Sequence, residues 1–164
     1  MSDLVLRPMD DGEAFAAMQV HLAAREDAVR QGTMPPSLHP PEDGPRWFTA
    51  EVVGKREIWV ADDDGTLVGL LVLDTAFLDQ LYVVPERQGE GIGTALLELA
   101  KARRPGGFEL WVFTVNAPAI GLYERHGMTV VERGDGSGNE EGEPDLRYAW
   151  PGVSVGAVGE DRLA

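Results

Sequence analysis

The sequence contains no cysteine, which excludes disulfides, thiolate metal ligands and a cysteine nucleophile. It has no long apolar run either. The longest such stretch, Leu67 to Leu73, is interrupted by Gly69 and falls far short of the roughly 20 residues that a spanning helix needs. Positive charge is scarce: 14 Lys and Arg stand against 28 Asp and Glu, for a net charge of -14, and no basic run exceeds the pair Arg103 and Arg104. A field of that sign repels polyanions and argues against a nucleic-acid partner. The N-terminal stretch carries Asp3, Asp10, Asp11 and Glu13 against Arg7 alone, the wrong sign for a secretory leader. Together these features predict a protein that stays off the membrane and resides in the cytoplasm.

What remains is 164 residues, 43% of them hydrophobic, enough for one domain with its own core. Leu4 to Arg7 reads as a strand, and Asp10 or Asp11 as the N-cap of a helix with Phe15, Met18 and Leu22 on its apolar face. From Ala28 to Pro45 five prolines and two glycines predict a covering loop, followed by a short helix within Pro45 to Val53. Glu57 to Ala61 and Leu67 to Leu73 flank Asp62-Asp63-Asp64-Gly65 as a β-hairpin. A strand over Leu78 to Val84 precedes a helix to about Arg103, whose apolar face is read as Ile92, Ala95, Leu96, Leu99 and Ala102. Phe108 to Thr114, Met128 to Val131 and Leu146 to Trp150 read as strands, and Ala117 to His126 as a helix stopped by Gly127. The acidic, glycine-rich Glu132 to Asp145 is expected to be a solvated loop without chemistry. The resulting order, βα(α)βββαβαββ, predicts an α/β (α+β) fold: a mixed, curved central sheet of about six to seven strands flanked by about four helices, occupying residues 1–150. The tail 151–164 is expected to be flexible.

One segment stands out for chemistry. Gln88-Gly89-Glu90-Gly91-Ile92-Gly93-Thr94 leads from a strand straight into a helix start, where unpaired amides and the positive end of the helix dipole suit phosphate. It is not a nucleotide P-loop, because Thr94 and Ala95 follow Gly93 in place of Lys and Ser/Thr. It is not a dinucleotide fingerprint either, since Thr94 or Leu96 occupies the place of the third glycine. A tight strand-to-helix connection with no ligand is the plain alternative.

Gln88 to Gly93 resembles the Gln/Arg-x-x-Gly-x-Gly/Ala signature of the GNAT superfamily of acetyl-CoA-dependent N-acetyltransferases, and follows the strand and proline Leu81-Tyr82-Val83-Val84-Pro85. Downstream, Asn116 to Met128 is similar to the family's Asn-x-x-Ala-x-x-x-Tyr-Glu-x-x-Gly-Phe segment, with Met128 for the usual aromatic. The resemblance implies acetyl-CoA as acetyl donor; His21, His39 and His126 are scattered with no carboxylate at ligand spacing, and no metal site is expected. The resemblance also implies that the backbone of Leu81, Tyr82 and Val83 pairs with the pantetheine arm, and that the amides of Gly89, Glu90, Gly91, Ile92, Gly93 and Thr94, beside Arg87 and Gln88, hold the pyrophosphate. Glu90 departs from the family pattern, and its carboxylate must turn away from that pyrophosphate. Asn116 and Tyr123, two helical turns apart, share a face and would both serve the cofactor.

Acetyl transfer to an amine needs a donor for the developing oxyanion, a proton for the departing thiolate and a neutral nucleophile. A main-chain amide near Val83 is the expected oxyanion donor. Tyr123 is the expected general acid, since a phenol stays protonated at neutral pH. Asp79 is the candidate base, acting through water from the strand face shared with Leu81 and Val83. Without a cysteine, direct attack in a ternary complex is the expected route. The acceptor is expected to be a primary amine of a small molecule or peptide, selected by the first helix and the Pro-rich loop, with Trp47 and Phe48 as wall residues. Glu26, Asp27, Glu42 and Asp43 would suit a cationic amine. A monomer and a homodimer both remain open. The competing reading is a non-catalytic CoA-binding or protein-interaction module of the same fold.

Overall fold

The computed structural model describes residues 3–40 and 42–153; most of the expected flexible tail, 154–164, lies outside the described residues. Strand β1 (Leu4–Pro8) pairs antiparallel with β2 (Glu57–Asp63), which turns into β3 (Thr66–Leu73) and then β4 (Leu78–Val83), in the order β1-β2-β3-β4. The β2–β3 turn places Asp64 and Gly65 at φ 52 and 91, the left-handed pair that matches strand twist in a two-residue hairpin. Asp62 Oδ1 accepts from the Gly65 amide at 2.8 Å and locks the turn. A second sheet has the order β5-β7-β6, formed by β5 (Phe108–Phe113), β6 (Thr129–Gly134) and β7 (Asp145–Trp150).

Seven strands and four α-helices among the described residues bear out the expected mixed α/β fold, with the strands parted into two sheets. Among the described residues a single parallel bridge, Phe77 to Glu109, joins them, with the Glu109 amide donating to Ala76 O at 3.0 Å. Beyond it the parallel strands β4 and β5 diverge, and a cleft opens between them.

Helix α1 (Ala14–Arg30) packs on one face of β3 and β4, and α3 (Ile92–Arg103) on the other, while α2 (Asp43–Trp47) and a π-helical turn, Phe48–Val52, close the first face. Helix α1 runs through Ala28 to Arg30, which shortens the expected loop. Its buried face is Ala17, Met18, Val20 and Ala24, and Phe15 is 67% exposed. A 3-10 turn, Asp11–Glu13, sets a different helical phase from the one that periodicity suggested. The face of α3 is also rotated: it buries Ile92, Leu96, Leu97 and Ala100 and leaves Ala102 exposed. Ile92 and Leu96 of this face seat over Gly69 on β3. A Cβ there would come within 3.0 Å of both Leu96 Cδ1 and Ala61 Cβ, so the missing side chain is what lets this helix sit so close. The last described residues do not leave the fold at 150, because Val153 donates its amide to Pro105 O at 2.9 Å. No helix among the described residues is long and apolar enough to cross a membrane.

Burial also sets the acid stability. His21 on α1 bonds Gln80 through Nδ1 at 3.0 Å and sits edge-on to Tyr82, and burial pushes its pKa down to about 4. Between pH 6.5 and about 4 the unfolded chain takes up a proton that the folded chain refuses, so stability drops through that window as pH falls. Glu13, gripped by Arg7 at 2.7 Å, is held down to about 2, and its contribution goes only below about pH 4.5. Thermal melts should show an early loss on the order of 3 kcal/mol between pH 6.5 and 4. His21→Gln should flatten that first phase and keep the second. A variant with an unaltered first phase would remove His21 as its source.

Candidate active site

Strand β4 has one satisfied edge and one open edge. The Val84 amide donates to Val68 O at 3.0 Å, so by alternation Tyr82 and Gln80 bond toward β3, while Leu81 and Val83 turn their N–H and C=O groups into the gap toward β5. Gln88 Nε2, from the turn that follows β4, donates to Val83 O at 3.1 Å and caps that carbonyl. The side chains sort the other way. A Cβ at Gly93 would lie 3.9 Å from Val83 and 4.0 Å from Leu81, so these two face α3, whereas Gln80 and Tyr82 meet His21 of α1.

After β4 the chain makes a 3-10 turn, Pro85–Arg87, and then two left-handed glycines, Gly89 at φ 81 and Gly91 at φ 90. A side chain at either would strain the turn. Among the described residues the amides of Gly89 to Thr94 make no intramolecular hydrogen bond, and the first bonded amide of α3 is that of Ala95, to Gly91 O. Six donors thus cluster at one helix start. Glu90 is exposed and drawn to Arg87, whose Nε lies 2.9 Å from its carboxylate and whose Nη1 lies 2.7 Å from Asp63.

Opposite stands α4 (Ala117–Arg125). Asn116 caps it, its Oδ1 accepting from the Ala119 amide at 3.3 Å, and Pro118 fits the first turn, where no amide partner is lost. Tyr123 is 7% exposed and packs against Tyr148, yet its hydroxyl makes no hydrogen bond among the described residues. Burial, then the nearby Tyr82, raises its pKa above the ordinary phenol value. Glu124 serves the fold instead, accepting from the Tyr148 hydroxyl at 2.7 Å and so tying α4 to β7.

These elements enclose a cleft of about 650 Å³ whose far end is walled by the last turns of α1. Asp79, Leu81, Tyr82, Val83, Arg87, Gln88, Gly89, Gly91, Gly93, Thr94, Asn116 and Tyr123 all line it. Ile92 does not: its side chain is 2% exposed and belongs to the core, so only its main chain faces the turn. Glu90 also lies off the lining. Asp79 is the extra residue of a bulge, between the pairs Leu73–Leu78 and Val72–Gln80, so the regular alternation that set it on the face of Leu81 and Val83 does not hold. Arg56 donates to its carboxylate at 2.8 Å.

The expected acceptor wall is different in kind. Phe48 is fully buried and Trp47 packs near His21; neither lines the cleft, and of the four acidic candidates only Asp27 does. Arg25, Thr33 and Met34 stand there instead. The β6–β7 loop, expected to be inert, sends Glu141 to within 3.7 Å of Arg25 and Glu140 to within 3.0 Å of His39. No sequence spacing signals these long-range pairs.

Such a splayed pair of parallel strands, with an amide-rich helix start below the gap, defines a GNAT-type scaffold. The comparisons with known proteins agree. Residues 54–129 match the family model described as an acetyltransferase (GNAT) domain. The chain is 33% identical over 99 residues to the peptidyl-lysine N-acetyltransferase YiaC of Escherichia coli, covering 59% of this chain and 65% of that protein. It is 32% identical over 105 residues to the peptidyl-lysine N-acetyltransferase YjaB of Salmonella typhimurium, covering 63% of this chain and 72% of the relative. Some relatives are matched over less than two thirds of their length, as with YiaC and with an uncharacterised N-acetyltransferase of Methanocaldococcus jannaschii, covered to 41%. Among solved structures, the apo form of Escherichia coli YjaB superposes with a TM-score of 0.71 at 22% identity, over 92% of this chain and 99% of that one. An acetyltransferase, yncA, from Salmonella typhimurium with its cofactor acetyl-CoA superposes at 0.68 and 17% identity, over 92% and 95%. The chain belongs to the GNAT acetyltransferase family.

Proposed function

We propose that the protein is an N-acetyltransferase that moves an acetyl group from acetyl-CoA to a primary amine of a small molecule or peptide, by direct attack with both substrates bound. The observation that carries this reading is the convergence on one cleft of two donor sets without intramolecular partners among the described residues: the Leu81 and Val83 amides on the open edge, and the glycine turn, whose Gly89, Gly91, Gly93 and Thr94 line the cleft. That donor set fits acetyl-CoA, an extended amide-bearing arm attached to a diphosphate. When bound, acetyl-CoA supplies an activated thioester.

The chain's own residues then do the following. The open edge of β4 orients the arm as an added strand, and an amide of Leu81 or Val83 meets the carbonyl oxygen as negative charge grows there. Tyr123 donates its proton toward the departing sulfur. Asp79, on the cleft wall, takes the acceptor's proton through water. The likeness to the peptidyl-lysine N-acetyltransferases YiaC and YjaB supports a lysine side chain of a peptide as one acceptor class.

The test is direct: purified protein, acetyl-CoA and a panel of amines including lysine peptides, read by thiol release and by mass shift of the acceptor. Acetyl-CoA binding with no amine-dependent thiol release would favour the non-catalytic module instead. Within the same assay, Asp79→Asn should lower kcat/KM about tenfold with acetyl-CoA binding unaltered. Unaltered kcat/KM would remove Asp79 as the base.

A further inference from the structure

The glycine turn aims its amides at a polyanion, yet a carboxylate, Glu90, stands within it. The nearest cation, Arg87, is already held by Asp63 and Glu90, and those three side chains sum to a net negative charge. The chain as a whole, at -14, adds repulsion. Two other arginines line the cleft. Arg25, at the acceptor end, lies 3.7 Å from Glu141. Arg125, on the last turn of α4, makes no ion pair and no hydrogen bond among the described residues, although acids outnumber bases two to one in this chain.

Its position is built in. Helical side chains tilt toward the N-terminus, and Arg125 lies back over Gly121, one turn earlier, so closely that a Cβ there would be 2.9 Å from Nη1. That direction leads toward the start of α3, because Leu122 of the same turn lies 3.7 Å from where a Cβ of Gly93 would be. A glycine thus seats an unpaired guanidinium on the wall of the cleft that Gly89, Gly91, Gly93 and Thr94 also line. We infer that Arg125, seated on Gly121, receives a phosphate group of the cofactor and supplies the positive charge that the turn itself lacks. The inference rests on the acetyl-CoA reading above. The shared chemistry is a phosphate oxyanion, either the diphosphate or the 3′-phosphate, which a guanidinium fork grips through paired N–H donors.

Calorimetry with the full chain tests it. Arg125→Gln should weaken acetyl-CoA binding about tenfold, and the salt dependence of the dissociation constant should shrink. Repeating the comparison with 3′-dephospho-CoA separates the two sources: disappearance of the tenfold loss assigns the 3′-phosphate, and its persistence assigns the diphosphate. Gly121→Ala should raise Tm, as alanine favours helix, while weakening acetyl-CoA binding by displacing the guanidinium. In the double variant, Gly121→Ala should add no loss to that of Arg125→Gln. An Arg125→Gln protein that binds both cofactors within about twofold of wild type would overturn the inference and leave the acetyl-CoA reading standing. A further loss from Gly121→Ala in the Arg125→Gln background would overturn the seating. Wild-type protein that is folded and does not bind acetyl-CoA would overturn both.

Discussion

Tyr123→Phe should turn over at about a hundredth of the wild-type rate or less, while acetyl-CoA binding and Tm stay close to those of the parent. The substitution removes one oxygen and keeps the ring that packs against Tyr148. No intramolecular partner is orphaned, because the hydroxyl makes no hydrogen bond among the described residues. What is lost is a proton donor at the cleft. Burial holds the phenol protonated well past its ordinary range, so kcat should show no fall from its ionisation between pH 7 and about 10. Steady-state thiol release, calorimetry and a pH profile check the three parts. A kcat within about twofold of wild type would take the proton-donor role away from Tyr123.

The second large effect comes from the main chain. Val83→Pro deletes a single amide proton on the open edge of β4, and turnover should fall by about a hundredfold or more if that amide serves the carbonyl oxygen. The ladder to β3 should survive. By alternation the Val83 amide points away from β3, and proline is accepted in a strand where its missing N–H faces an unpaired edge. The side chain is 8% exposed, so some loss of packing is expected, about 1 to 2 kcal/mol. Tyr82→Pro is the informative contrast. Its amide belongs to the bonded set, and that variant should lose the sheet itself, seen as a collapsed Tm. If Val83→Pro retained full turnover with its fold intact, that amide would have no part in the chemistry, leaving Leu81 as the remaining donor of the pair.

Much of the candidate site was legible because it is local. Gln88 to Thr94 is one continuous turn, and both its left-handed glycines and its unbonded amides follow from a strand running directly into a helix. Asn116 caps the helix that carries Tyr123, and their seven-residue spacing suggested one side; both line the cleft. Asp79 was misplaced for an equally local reason: periodicity has no term for a bulge, and one extra residue shifts every side chain beyond it. Phe15 is exposed because the 3-10 turn Asp11–Glu13 shifts the phase of α1, and Ala102 because α3 seats closely on β3 at Gly69, a neighbour that no window along the helix contains.

The amino-acid order by itself determined the element sequence, the phosphate-suited turn, and the cap Asn116 with Tyr123 of α4, since each depends on backbone propensities within a few positions. Only the tertiary structure decided that the strands part into two sheets, that Arg25 meets Glu141, and that Arg125 lines the same cleft as the glycine turn. Those outcomes depend on how strands diverge and helices seat against one another. Such contacts form between residues far apart in the chain, where spacing carries no information.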